Sequence, residues 1–221
     1  MSDHTLSVDA RRTTMVDTQV RPSDVTKFPI IDALLRVARE AFVPETKASV
    51  AYAEAAIEIA EGRELMEPRC FAKMLDALDL NRDELVLIVG GGLGYSAAVI
   101  GQMVDSVVMV EEDAEIADTA ERALIAEGVH NAAVLTAPLP EGAAKAGPYN
   151  VIFIEGSIDV FPESLASQLA DGGRVIAGFT QGHAGEIRMG YKSDGRLSWR
   201  PVFDARLRSL PGFAVSEGFS L

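Results

Sequence analysis

Three glycines and one carboxylate carry the clearest chemical signal in this sequence. Gly90, Gly92 and Gly94 follow the apolar run at residues 85–89 (LVLIV), and Glu111 comes about twenty residues later. Glycines at a strand-to-helix turn carry no Cβ, so backbone N–H groups can approach a ligand closely. A carboxylate at the end of the next strand can accept hydrogen bonds from two ribose hydroxyls. Together these residues predict a nucleoside site, although the glycines alone could merely form a tight turn.

The spacing of the glycines indicates which nucleoside is bound. A dinucleotide-binding loop needs glycine at the sixth position counted from Gly90, and Tyr95 stands there. Alternating glycines give a wider loop that suits a ligand without a pyrophosphate, such as S-adenosylmethionine. The prediction requires an open hollow above the loop, with Glu111 facing it. The candidate cofactor-binding residues are Gly90, Gly91, Gly92, Gly94, Tyr95, Glu111 and Glu112.

The surrounding elements predict a parallel sheet that would position this loop. Short apolar runs alternate with helical periodicity from residue 85 to residue 177, which is typical of a doubly wound α/β fold. Predicted strands lie at 85–89, 107–110, 132–135, 151–154 and 174–177. Predicted helices lie at 30–42, 68–80, 95–104, 114–127 and 161–169. We expect three regions: a mobile N-terminal arm (1–14), a helical cap (15–82) and an α/β domain (83–221) with an antiparallel C-terminal edge.

Composition limits the partners and the compartment. The chain has 221 residues, and its net charge of −13 disfavours nonspecific binding to nucleic acid or anionic lipid. The single cysteine, Cys70, cannot form an internal disulfide, which favours a reducing compartment. We find no signal peptide or membrane span, so we expect a cytoplasmic protein. His4, His130 and His183 lack metal-ligand spacing, and we predict no metal site.

Several short motifs, in order, resemble the protein-L-isoaspartate O-methyltransferase family. The resemblance spans roughly residues 15–180, and it implies a class I methyltransferase fold, S-adenosylmethionine as cofactor and methyl transfer to isoaspartyl carboxylates of proteins or peptides. It also points to Leu65, Met66, Glu67 and Ser157 as substrate-binding residues. The motifs lie at residues 15–22 (MVDTQVRP), 41–44 (AFVP), 51–54 (AYAE), 90–98 (GGGLGYSAA), 167–169 (SQL) and 172–174 (GGR).

The departures from the family pattern are as informative as the matches. Ile88 stands where the family has an acidic residue two positions before the first glycine. Residues 62–68 (GRELMEP) resemble the family's Gly-Gln-Thr-Ile-Ser-x-Pro, with Arg63 at the glutamine and Met66 at the serine that lies beside the transferring methyl group. Pro138 lies where the family has a Gly-Asp-Gly, so no carboxylate remains there to approach adenine. Glu64, Glu67 and Glu155 would repel an anionic substrate unless Arg63 or Arg69 offsets them, or Glu64, Glu67 and Arg69 could instead form a rim of salt bridges.

Three functional hypotheses remain open from the sequence. The first is an isoaspartyl-repair methyltransferase, whose catalytic residues the sequence does not identify because the nucleophile is already ionised and mainly needs alignment. The second is a catalytically degenerate paralogue that acts as a binding or assembly protein. The third is a methyltransferase with a small-molecule acceptor. A homodimer is compatible with the sequence.

Overall fold

A computed structural model describes residues 7–181 and 184–214, in which nine strands and six α-helices form. The strands are β1 (Ile57–Ala60), β2 (Arg63–Leu65), β3 (Leu85–Val89), β4 (Ser106–Glu111), β5 (Ala132–Thr136), β6 (Tyr149–Ile158), β7 (Leu169–Gln181), β8 (Ala184–Ser193) and β9 (Arg196–Asp204). The helices are α1 (Val8–Met15), α2 (Phe28–Arg36), α3 (Pro68–Leu78), α4 (Tyr95–Gly101), α5 (Ala114–Ala126) and α6 (Glu163–Ala166).

Seven of the strands form the central sheet in the order β5-β4-β3-β6-β7-β8-β9. Strands β3 to β7 pair parallel with one another, whereas β8 pairs antiparallel with both β7 and β9 at the edge. This confirms the predicted doubly wound sheet with an antiparallel C-terminal edge. The order reverses between β3 and β6, and ligands of such sheets bind outside the carboxyl ends of the strands at this switch point.

Apolar alternation along the central strands explains the position of the core. Val86 and Ile88 of β3 pack into the cluster on one face of the sheet, while Leu87 and Val89 pack into the cluster on the other. Ile88 is fully buried, so at this position the chain has an apolar core contact instead of the family's acidic side chain. None of the helices in the described part of the chain has the length and apolar character of a membrane-spanning segment.

The N-terminal region corrects two expectations. Helix α1 begins at Val8, and the Ser7 hydroxyl caps it by accepting a hydrogen bond from the Ala10 N–H. Residues 8–14, which the sequence assigns to a mobile arm, thus form part of this helix, and residues 1–6 lie outside the described part. The predicted helical cap (15–82) also contains a two-stranded hairpin, formed by β1 and β2. The cap buries its apolar side chains in the same cluster as the sheet.

The chain after β9 returns across the carboxyl end of the sheet. In this C-terminal segment (residues 205–213), the Leu210 N–H donates to the Ser157 carbonyl, and the Ser157 N–H donates to the Arg208 carbonyl. Leu210 thereby packs above the glycine loop and against Gly156. The antiparallel edge ends at Asp204, and residues 213 and 214 form no strand. His4 and His183 lie outside the described residues.

Candidate active site

The glycine loop curls over the carboxyl end of β3. Gly90, Gly92 and Gly94 have φ angles of 77°, 55° and 96°, a region that L side chains rarely adopt. The Gly90 N–H donates to the Val110 carbonyl at 2.8 Å, which ties the loop to β4. Gly94 is the N-cap residue of α4. The backbone conformation therefore requires these glycines, and the loop lies at the switch point of the sheet.

Glu111 ends β4 and is fully buried beside the loop. Its Oε2 accepts a hydrogen bond from the Gly92 N–H at 3.0 Å, and its Oε1 accepts one from the Glu112 N–H at 3.0 Å. The carboxylate thus faces the glycine loop, as the sequence predicts. Its proposed contact with ribose hydroxyls stays a prediction.

Arg63 fills the hollow that the sequence predicts to be open. Its Nη1 and Nη2 donate to the two Glu111 carboxylate oxygens at 2.8 and 2.7 Å, and Nη2 also donates to the Gly90 carbonyl at 2.7 Å. Leu210 packs against Gly90, and Ile59 of the hairpin packs against Gly92. The expectation of an open hollow is therefore wrong for this structure, because the chain's own side chains occupy it.

Two cavities lie on either side of this obstruction. One, of about 230 Å³, reaches from Arg63 to Glu155 and is also lined by Met66 and Glu67. The other, of about 420 Å³, reaches from Arg63 to Glu111 and Glu112. Arg63 therefore separates a cavity at the predicted substrate residues from one at the predicted ribose carboxylate.

Glu155 is a buried acid at the carboxyl end of the sheet. The pairing of β6 with β7 shifts register between Phe153 and Ser157, and Glu155 lies in the shifted stretch. The Ser96 hydroxyl donates a hydrogen bond to its carboxyl group. Burial raises the pKa of Glu155 to about 8. Glu155 is therefore mainly neutral at pH 7, which corrects the expectation that it would repel an anionic substrate.

The other two carboxylates expected to repel a substrate are paired at the cavity rim. Arg208 donates to Glu64 at 2.7 Å, and Arg69 donates to Glu67 at 3.2 Å. The rim is thus a set of partly exposed ion pairs. Arg206, exposed on the same rim, has no ion-pair partner within 4.0 Å among residues 7–181 and 184–214.

Three predicted site residues turn away from the cavities. Tyr95 is the first residue of α4, and its ring packs in the core against Phe42 and Phe71. It therefore lines neither of the two cavities. Leu65 is buried in the main apolar cluster. The Ser157 hydroxyl donates to the Leu207 carbonyl at 3.1 Å, and so fastens the C-terminal segment. Each was assigned by its place in a motif, which does not give side-chain direction.

The sequence interpretation missed two arginines that organise the site. Arg63 stands where the resembled family motif has glutamine, and it was considered only as a charge that offsets nearby glutamates. Arg39 is fully buried and donates to the Ala51 and Met66 carbonyls, which positions the segment leading into α3. A buried position for Arg39 is not evident from its sequence neighbours, whereas the substitution at Arg63 was a usable signal.

The residues around the glycine loop are of the types that bind the ribose of S-adenosylmethionine, but those expected near its adenine are not. The glycine loop and the Glu111 carboxylate are the donors and acceptor that a nucleoside sugar needs, but in this structure Arg63 holds that carboxylate. On the adenine side, Ala137 and Pro138 offer no carboxylate, and Leu139 is buried in the core. Within the described residues, no group of three His, Cys, Asp or Glu side chains could hold a metal ion.

Cys70 is expected to be chemically inert in the folded protein. Its thiol is buried, and this burial, reinforced by the nearby Glu67 charge, raises the pKa of Cys70 to about 12. Iodoacetamide at pH 8 should leave the native protein unmodified and alkylate it after unfolding, as read by intact mass. Alkylation of the native protein at the rate of the unfolded chain would contradict the buried position.

Comparison with known proteins places the chain among the methyltransferases. The model of the family described as Protein-L-isoaspartate(D-aspartate) O-methyltransferase matches residues 10–206. A Protein-L-isoaspartate O-methyltransferase of Koribacter versatilis is 32% identical over 209 residues, covering 95% of this chain and 93% of that protein. Protein-L-isoaspartate O-methyltransferase 1 of Rhodopseudomonas palustris is 36% identical over 176 residues, covering 80% and 72%.

Solved structures agree with the fold. One titled protein-L-isoaspartate O-methyltransferase superposes with a TM-score of 0.80 at 25% identity, covering 91% of this chain. This chain spans 66% of the length of that protein, slightly less than two thirds. A candidate protein-L-isoaspartate O-methyltransferase from Plasmodium falciparum, solved with S-adenosyl-L-homocysteine, has a TM-score of 0.78 at 17% identity, covering 90% and 97%. These likenesses confirm the class I methyltransferase fold.

Proposed function

The chain belongs to the protein-L-isoaspartate(D-aspartate) O-methyltransferase family, and from this premise we propose that it transfers a methyl group from S-adenosylmethionine to isoaspartyl carboxylates of damaged proteins. The observation that carries the proposal is the family match over residues 10–206, which includes both the glycine loop and Glu111. We also propose that the protein acts in the cytoplasm, as the sequence predicts.

The chain's own residues would divide the work between the two cavities. Gly90, Gly92 and Glu111 would hold the nucleoside of the cofactor, which supplies the electrophilic methyl group. Because the acceptor carboxylate is already ionised, the protein mainly has to align it and exclude water. In the cavity between Arg63 and Glu155, the Arg206 guanidinium offers a counter-charge to that carboxylate, and neutral Glu155 does not oppose it.

A labelled methyl group tests this function directly. Tritium from the cofactor should appear in a peptide containing isoaspartate, and not in the same peptide with ordinary aspartate. The two residues hold the free carboxylate at different distances from the peptide backbone, so only one of them aligns with the methyl group. The aspartyl peptide is the matched control. Cofactor binding without transfer to the isoaspartyl peptide would remove the substrate assignment and favour a small-molecule acceptor.

A degenerate paralogue that only binds a partner is the second candidate. The hydrogen bonds of Arg63 to both oxygens of Glu111 favour it. The departures from the family motifs at Met66 and Pro138 favour it too. It predicts that S-adenosylhomocysteine fails to bind, whether or not Arg63 is present. A protein partner and a homodimer belong to this proposal as candidates, which size-exclusion chromatography with light scattering addresses.

A further inference from the structure

The guanidinium of Arg63 binds the carboxylate that would hold a ribose. It donates to both oxygens of Glu111 and to the Gly90 carbonyl, while the Gly92 N–H also donates to Glu111 Oε2 and the Glu112 N–H to Oε1. The Arg63 side chain is 8% exposed and that of Glu111 is 0% exposed. A paired fork of this kind is the strongest common side-chain hydrogen-bond geometry. While the pair is intact, it occupies the side of the carboxylate to which a ribose hydroxyl would have to donate its hydrogen bond.

The element that carries Arg63 is a short hairpin outside the central sheet. Arg63 begins β2, which pairs with β1 alone in the described part of the chain, and the two strands have three and four residues. An isolated two-stranded hairpin is marginally stable by itself. Its outer attachment is the partly exposed ion pair between Glu64 and Arg208. Ile57 and Leu65 anchor the hairpin in the main apolar cluster, so the site opens by withdrawal of the Arg63 side chain while the hairpin stays in place.

Moving Arg63 would join the two cavities. Gly62, Arg63 and Leu210 line both the cavity that contains Glu155 and the cavity that contains Glu111. Withdrawal of the guanidinium would make a continuous cleft along the carboxyl edge of the sheet. Such a cleft places a nucleoside at one end and a methyl acceptor at the other.

We propose that Arg63 is an internal latch, which holds the free protein closed through Glu111 and which an adenosine-bearing ligand must displace to bind. This inference rests on the proposed function, because it takes the ligand from there. The affinity of the protein for the ligand is then set by the fraction of molecules in which the Arg63–Glu111 pair is broken. The apparent dissociation constant equals the intrinsic constant divided by that open fraction.

Isothermal titration calorimetry with S-adenosylhomocysteine tests the latch without needing catalysis. Arg63→Gln removes the charge and the fork, so it should bind at least about tenfold more tightly than the wild type, because the closed state loses its main contact. Arg63→Lys, which keeps the charge but can make fewer directed contacts, should give an intermediate affinity and serves if Arg63→Gln folds poorly. Adding Glu111→Gln to Arg63→Gln should abolish the gain.

A second arginine–glutamate fork in the same chain supplies a matched control. Arg174 donates to the two oxygens of Glu84 at 2.7 and 3.0 Å, at the amino-terminal end of β3. Arg174→Gln breaks a pair of similar geometry and removes the same charge far from the loop. It should lower the melting temperature, as Arg63→Gln should, but leave the affinity for S-adenosylhomocysteine at the wild-type value.

The outcomes separate the latch from the function on which it rests. If the wild type binds S-adenosylhomocysteine and Arg63→Gln binds it equally or less tightly, Arg63 does not compete with the ligand and the latch is refuted. If no folded variant binds at millimolar ligand, the proposed function itself fails. A gain confined to Arg63 variants, and dependent on Glu111, establishes the latch.

Discussion

Substituting alanine for Arg39 is expected to lower the free energy of unfolding by about 3–5 kcal/mol. Arg39 lies in the 3₁₀ turn Arg39–Phe42 and is fully buried. Its Nε donates to the Ala51 carbonyl at 2.7 Å, and its Nη2 donates to the Met66 carbonyl. The truncation would leave two buried carbonyls without a donor and open a cavity above the ring of Tyr95, on which the guanidinium lies.

Two further variants separate the polar contribution of Arg39 from its packing. Arg39→Met fills much of the volume but restores no donor, so its loss should be intermediate. Arg36→Ala is the matched control, because Arg36 is exposed and pairs with Asp32 one helical turn away, an interaction worth about 0.5 kcal/mol or less. Urea unfolding at pH 7 measures all three, and an Arg39→Ala loss within about 1 kcal/mol of that control would contradict this role.

Arg39 also connects stability to the site. Its contact with the Met66 carbonyl positions the residues before α3, including Glu67 at the cavity wall. An Arg39 variant that still folds should therefore show a less ordered cavity wall at these residues. Amide hydrogen exchange in residues 64–68 provides that measurement.

The central sheet was predictable because both of its faces are buried. The apolar run at residues 85–89 matches β3 residue for residue, since every position from Val86 to Val89 faces one of the two clusters. The same reasoning placed the glycine loop and Glu111 correctly. Local pattern suffices where the burial of a strand and the conformation of a turn are determined by adjacent residues.

Helix boundaries were less predictable, because apolar spacing does not distinguish a helix from successive turns. The predicted helix at 30–42 ends at Arg36, since Val37 has an extended conformation, and a 3₁₀ turn follows. The predicted helix at 161–169 is reduced to Glu163–Ala166, because Leu169 already starts β7. The hairpin of β1 and β2 was missed, as its strands are too short to give a pattern.

The Arg63–Glu111 pair could not be predicted, because its partners are 48 residues apart and lie on elements of different sheets. Sequence spacing locates the end of β4 but not which distant side chain reaches it. The one indication in the sequence is Arg63 itself, a charged residue at a motif position where the resembled family has glutamine. A local motif therefore identifies a site, and only the tertiary structure reveals what competes for it.

Glu155 depends on tertiary structure in the same way, since its burial and not its sequence position sets its charge. It lies against Ser96, and the charges of Arg63, Arg39 and Glu111 also act on it. Burial is the largest of these influences and raises the pKa of Glu155 from 4.5 to about 8. The neutral form is therefore the one that the folded protein accommodates.

Glu155→Gln is expected to stabilise the protein progressively as pH rises from about 5 to 8. Below pH 4.5 the carboxyl is protonated in both states and contributes no difference. Between pH 4.5 and about 8 the unfolded chain releases the proton while the folded protein keeps it, so rising pH destabilises the wild type. Glutamine mimics the neutral acid and removes this loss, which approaches about 4 kcal/mol at pH 8.

Urea unfolding of both proteins at pH 5, 6, 7 and 8 measures the difference, with Glu121→Gln on the exposed face of α5 as the control. The control should run parallel to the wild type, whereas the curve of Glu155→Gln should diverge upward. Parallel curves for Glu155→Gln would mean that Glu155 is ionised in the folded protein. The cavity beside Arg206 would then carry a full negative charge at neutral pH, which an isoaspartyl carboxylate would have to overcome to bind.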